Sequence, residues 1–300
     1  MNTDVSVSKI KINSASAWWN SVKRNWYMFS RNKISVVGLV GVILVVLIAI
    51  LPQYIAPFPE HAAAFTNFGD ANLPPNSEYL LGTDSTGRDV LSRIIFSFRG
   101  ALTMGVGVIL IAAPIGVIMG LFAGYFSGRF ISSVIMRIVD IFLSLPSLVL
   151  ALAVSAILSP TLFNSMMAIT VSWWAWYARL VYGTASSVRN EYYVKSAELL
   201  GASRAHIIFR EILPNCWSVI LTKMTLDMGV VILMGASLSF VGLGAQPPQP
   251  DLGTMVSEGY KLLPNSWWLT IFPAAAIMLI VLSFNLFGDG IGDMLKTKEE

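Results

Sequence analysis

The sequence predicts an all-α integral membrane protein with six transmembrane helices. Three observations carry that prediction. Of 300 residues, 55% are hydrophobic and only 12% are charged, against about 25% charged in an average soluble domain. The mean hydropathy is +0.67. Several uncharged runs reach the roughly 20 residues that a helix needs to cross about 30 Å of hydrocarbon.

The spans are placed in order at 34–51, 101–126, 141–158, 166–188, 217–243 and 268–288. Pro52 ends the first, and the second carries no charge. The third ends near Pro160, and the fifth is less clean because it holds Lys223 and Asp227. Pro114, Pro146 and Pro273 interrupt spans and are expected to bend them. The first run follows a long polar stretch and lacks a small-x-small cleavage site, so it reads as a retained anchor, not a signal peptide.

An even number of spans puts both termini on one side. Positive charge chooses that side. The N-terminal segment, the loops after the second and fourth spans, and the C-terminus together hold 14 of the 20 Lys and Arg. Both termini are therefore expected in the cytoplasm. Before the first span, Trp18, Val22, Trp26 and Phe29 recur at helical spacing, which predicts a helix lying along the lipid interface.

The second span repeats glycine at Gly116, Gly120, Gly124 and Gly128. Residues four apart share a helix face, so the repeat predicts a smooth ridge that another helix can approach closely. The ridge serves tight packing or a sliding surface. Lys223 and Asp227 are four apart and can pair on one helix, either as a structural pair or as part of the lining of a conduit.

Three polar stretches carry mechanism. The first is Lys195-Ser196-Ala197-Glu198-Leu199-Leu200-Gly201, followed by Ile212-Leu213-Pro214. Small residues let a helix lie deep in a groove. Gly201 permits a sharp change of direction, and Pro214 is expected to close a second short helix. The second is Gly82-Thr83-Asp84-Ser85-Thr86-Gly87-Arg88-Asp89, whose Asp84, Ser85 and Thr86 can cap a helix start. It reads either as a cap on the outer mouth or as a contact for a solute or binding protein. The third, Gly242-Leu243-Gly244-Ala245-Gln246-Pro247-Pro248, is an ordered turn beside the expected outer end of the pathway, with Asp227 as the ionisable group inside the same span.

These stretches resemble the peptide/nickel branch of ATP-binding-cassette (ABC) importer permeases, the dipeptide and oligopeptide permease C-type subunits. The 195–214 stretch is similar to the EAA loop that contacts a cytosolic ATPase. Here Lys195-Ser196-Ala197 stands where Glu-Ala-Ala is usual, while the glycine and the Ile-Leu-Pro ending are kept. The resemblance implies a type I ABC importer transmembrane domain. Its parts are a cytoplasmic segment 1–33, a first transmembrane helix 34–55, an external loop 56–98, a five-helix core 99–290 with its docking loop at 189–215, and a tail 291–300. It further implies a bacterial inner-membrane location, a second homologous permease, two ATPase subunits and an external substrate-binding protein. Di- or oligopeptides lead as substrates, with nickel chelates, glutathione, opines and antimicrobial peptides as alternatives.

Other classes find little support. No Gly-x-x-x-x-Gly-Lys-Ser/Thr loop is present, so ATP and Mg are expected on partner chains and no cofactor on this one. A single Cys216 excludes an intrachain disulfide and reads as a packing residue. His61 and His206 are expected on opposite sides of the membrane, so no metal site is predicted. No catalytic set or nucleic-acid contact is read. An ion-driven transporter would want carboxylates near the bilayer midplane, where only Asp227 comes close.

Overall fold

In the computed structural model, which describes residues 19, 23, 24 and 26–296, the described residues form helices and connecting turns, with no strand. Nine helices organise them: α1 Lys33–Ile50, α2 Val90–Tyr125, α3 Phe130–Ser144, α4 Ser147–Ile157, α5 Leu162–Val188, α6 Tyr192–Leu199, α7 Leu213–Phe240, α8 Leu252–Tyr260 and α9 Trp268–Lys296. Trp18 and Val22 of the expected interfacial helix lie outside the described residues. Phe29 is buried, with its ring edge-on to Phe287.

Four helical stretches are long and apolar enough to span: Lys33–Ile50, Val90–Tyr125, Arg204–Phe240 and Trp268–Leu295. The bent pair α3–α4 brings the number to five. The expected sixth, α5, is 27 residues long and so has the length. It is more polar than the other spans, and it packs against α2, against α3 and α4, and against α7.

Only one of the three prolines breaks its helix. Leu145 takes the extended conformation that a following proline favours, and Pro146 leaves α3 and α4 at 85° to each other. Pro114 and Pro273 lie inside continuous helices, where neighbouring helices tolerate one missing hydrogen bond. The third span therefore begins at Phe130 and turns sharply. The second helix starts at Val90, inside the stretch expected as loop, and α9 continues past residue 290.

The glycine ridge is a packing device at three of its four positions. A Cβ on Gly116 would lie 2.5 Å from the Cβ of Tyr177, one on Gly120 2.6 Å from the Ala178 carbonyl oxygen, and one on Gly124 2.5 Å from the Cβ of Ala185. The backbones of α2 and α5 touch there. Gly128 does not join them. Its φ is +81° with open space around it, so it turns the chain from α2 into α3. Gly38 and Gly41 likewise let α1 lie against α9, a Cβ on Gly41 falling 2.9 Å from that of Ser283.

Candidate functional site

Helix α6 begins the element expected to meet a partner. Val194 is 1% exposed and packs with Ile207, Ile208 and Ile212, whereas Leu199 and Leu200 are 89% and 88% exposed. The helix ends in a Schellman cap: the Gly201 amide donates to the Glu198 carbonyl (3.1 Å) and the Ala202 amide to Ala197 (3.0 Å). Such a cap needs a left-handed residue, and Gly201 has φ +83°. Lys195, Ser196 and Gly201 are exposed, and Ala197 is half-buried. The two exposed leucines thus stand on a rigid knuckle.

The return from that knuckle differs from expectation. Ser203 caps a new turn by accepting from the His206 amide (3.2 Å), and the chain then runs without interruption from Arg204 to Phe240. Pro214 does not close a helix. It sits in the first turn of α7, preceded by a π-helical stretch over Ile207–Ile212. Proline lacks an N–H and crowds the carbonyl four residues back, and the wider π turn accommodates both. Ile212 is buried, Leu213 half-buried and Pro214 exposed, so the Ile-Leu-Pro group joins the knuckle rigidly to a spanning helix.

At the opposite end, the 82–89 stretch folds around one carboxylate. Asp84 Oδ1 accepts from the Thr86 amide (2.9 Å), the Thr86 hydroxyl (2.8 Å) and the Arg88 amide (3.0 Å). Its Oδ2 accepts from Arg88 Nε (2.8 Å) and from Arg93. All three charged side chains are buried. Burial alone would raise the Asp84 carboxyl, but Arg93, the Arg88 amide and the Arg88 guanidinium outweigh it and hold it below its usual value. Gly82 and Gly87 have φ of +77° and +79°, and Thr83 pairs with Asp89 as an isolated bridge. Asp84, Ser85 and Thr86 do not cap the helix. Asp89 does, accepting from the Ser92 amide (2.7 Å), while its own amide donates to His61 Nδ1 (2.9 Å). The geometry is that of a clasp joining the 57–89 loop to α2, its carboxylate fully bonded and only Arg93 Nε left buried without a partner among its charged groups.

The turn after α7 repeats the knuckle's construction. The Gly242 amide donates to Ser239 and the Leu243 amide to Leu238, both at 2.9 Å, with Gly242 at φ +89°. Gly244 packs on Ser239. Gln246 donates to the carbonyls of Gly242 and Gly244 (3.2 and 3.1 Å). Gln246 and Pro247 line an open cleft of about 620 Å³ whose far wall is Pro160–Phe163.

Within the spans, Lys223 Nζ lies 2.7 Å from Asp227 Oδ1, as the spacing predicted. Asp227 is 2% exposed and therefore does not itself line an open surface. Its Oδ2 accepts from Trp173 Nε1 (2.9 Å), and Lys223 sits over the Trp173 and Trp176 rings at 5.8 and 5.7 Å. Arg179 of α5 pairs with Asp140 of α3. No local spacing joins residues 140 and 179, or 173 and 227. Only the packing of α5 against α3 and α7 does.

A bundle of helices long and apolar enough to span, with one exposed amphipathic knuckle, fits a membrane transport component. The profile of the family described as binding-protein-dependent transport system inner membrane component matches residues 116–299, and that of the N-terminal transmembrane domain of oligopeptide transport permease C matches residues 20–75. The chain belongs to this family of transport-system inner membrane components. It is 40% identical to a dipeptide transport system permease protein of Escherichia coli K12 over 97% of its own length and 98% of the relative's. It is 39% identical to one of Haemophilus influenzae (91% and 93% covered), and 38% identical to a glutathione transport system permease protein of Pectobacterium atrosepticum (91% and 90%).

Proposed function

We propose that this chain is one of two permease subunits of an ATP-binding-cassette importer, forming half of the pathway for di- or oligopeptides. The knuckle is the observation that carries this reading. Two leucines stay in water on a short helix whose other face is fixed to the bundle. Free energy favours covering them, and a groove on a soluble subunit is the natural cover.

Alternating access needs two packings of the helices. Moving such an equilibrium from 1:99 to 99:1 takes about 5.5 kcal/mol of differential binding. ATP binding to two partner ATPases supplies it if their closure pushes the knuckle, and the continuous Arg204–Phe240 helix carries the push into the membrane. In this reading ATP and Mg sit on the partners, an external binding protein selects the solute, and this chain performs no chemistry. Lys195, Ser196, Ala197, Leu200 and Gly201 form the docking element with Ile212, Leu213 and Pro214. Gly242, Gly244, Gln246 and Pro247 belong to the outer end, and the Asp84 clasp holds that end's loop. In this reading six spans cross the inner membrane and both termini and the knuckle lie in the cytoplasm, a side that the distribution of Lys and Arg supports.

The similarity to a glutathione permease favours a second reading, a modified tripeptide as cargo. One experiment, run with dipeptide and with glutathione in parallel, addresses both. Proteoliposomes containing this chain, its partner permease, the ATPases and the binding protein are expected to take up dipeptide only when ATP is present and every component is included. Uphill uptake by the purified chain alone, or uptake that survives ATP depletion and collapses with the proton gradient, overturns the proposal.

A further inference from the structure

We infer that Lys223, with Trp176 and Arg179 beside it, receives the carboxylate of the solute as it crosses the half of the pathway nearer the knuckle; this rests on the import reading above. The argument starts from cost. An ionisable side chain at the centre of a span is unfavourable by about 2.5–3.5 kcal/mol on insertion scales. Yet the Arg179 and Asp140 side chains, though paired, are 42% and 45% exposed. A face that leaves this much charge uncovered is built for water, a polar visitor or a partner chain, not for lipid.

The rest of that face is polar too. Trp176 lies one helical turn before Arg179 and is exposed. Its Nε1 donates to the Ser147 hydroxyl (3.2 Å), at the start of α4 just beyond the 85° break. Lys223 Nζ sits over the Trp176 ring. Asp140, Ser147, Trp176, Arg179 and Lys223 thus form one wall beside the broken span, and broken spans are where membrane transporters place their polar contacts.

Lys223 has capacity to spare. An ammonium carries three donors. Asp227 takes one, and two indole rings flank the group. Asp227 is held from its other side by Trp173, so it fixes the ammonium in place without enclosing it, and the lysine side chain remains 28% exposed. It also lines a cavity of about 320 Å³ formed by residues of α5, α7 and α9, Leu180, Ser218, Thr222 and Leu295 among them. That is the lower end of the roughly 300–1,000 Å³ of small-molecule sites. One fixed cation between a mostly apolar cavity and the indole wall suits a small organic anion or zwitterion: the C-terminal carboxylate of a short peptide.

The test compares wild type, Lys223→Gln and Lys223→Arg in the full complex, with labelled dialanine as probe. The readouts are the KM for uptake and the dialanine imported per ATP hydrolysed. Loss of a charge-assisted hydrogen bond is expected to lower import per ATP about tenfold in K223Q, with recovery in K223R. K223Q importing as wild type overturns the inference. So does a K223Q preparation in which fewer complexes assemble and total uptake falls in proportion while import per ATP hydrolysed is unchanged, because the lysine is then only a packing partner. If the wild-type complex imports no dialanine, the peptide reading fails instead, and the same comparison with glutathione, which also carries carboxylates, decides the role of Lys223.

Discussion

Val194 and Leu200 lie on opposite faces of one two-turn element: Val194 is sealed against Ile207, Ile208 and Ile212, and Leu200 stands in solvent. The contrast separates two functions that the same short stretch must perform. The inner face fixes the knuckle to α7, and the outer face is left for a partner. Val194→Asp is expected to loosen the whole element by about 3 kcal/mol or more, since it buries an unpaired charge. Leu200→Asp is expected to leave the stability of the isolated chain within about 0.5 kcal/mol. Thermal unfolding of both variants in detergent checks the difference.

The α2–α5 contact gives a second expectation. Gly120→Val has no room, with the Ala178 carbonyl 2.6 Å and the Val181 Cβ 2.8 Å from the new Cβ. Overpacking there is expected to cost about 1–3 kcal/mol or more. Gly128→Ala meets no atom within 4 Å and suffers only the left-handed backbone, about 1 kcal/mol. Melting temperatures of the two variants should rank in that order.

The Asp84 clasp predicts a pH dependence. The folded carboxyl lies below its unfolded value of 3.8, so its stabilisation is complete above that value and is lost as pH falls through the lower, folded one. Asp84→Asn removes the acceptor from two buried guanidinium groups and is expected to cost about 3–5 kcal/mol at neutral pH. The gap between wild type and variant should persist at mildly acid pH and close only below the usual carboxylate range. Unfolding measured across a pH series reads this directly.

The Arg179–Asp140 pair offers a check on what its face meets. In a wet pathway an exposed pair is worth about 0.2–1 kcal/mol. A double-mutant cycle with Arg179→Gln and Asp140→Asn should therefore give a small coupling that weakens with salt. A large, salt-insensitive coupling would mean that lipid or a dry interface covers the face.

Much of this arrangement was legible in the chain, for reasons that differ by element. The apolar runs announced α1, α2, α7 and α9 because length and few charges are most of what a spanning helix needs. Gly201 and Gly242 were legible because a left-handed cap admits little else. The Lys223–Asp227 pair was legible because four residues make one helical turn. The failures were equally physical. Pro214 looked like a terminus because sequence does not show that a π turn can absorb a proline. Asp84 looked like a helix cap because its real partners, Arg88 and Arg93, reach it only once the loop has folded back. Gly128 kept the period of the ridge but fell just past the helix end. Asp140–Arg179 and Trp173–Asp227 join different helices, and nothing in a local window ranks such pairs above others.

The central claim is that the exposed face of the knuckle is where ATP-driven work enters the membrane part. The direct measurement is dipeptide uptake and ATPase binding by the reconstituted complex carrying Leu199→Asp and Leu200→Asp together. The two permeases are expected to assemble and to bind the external protein, while the ATPase subunits dissociate and ATP-driven uptake disappears. Uptake at the wild-type rate by that double variant, with the ATPases still bound, would contradict the account.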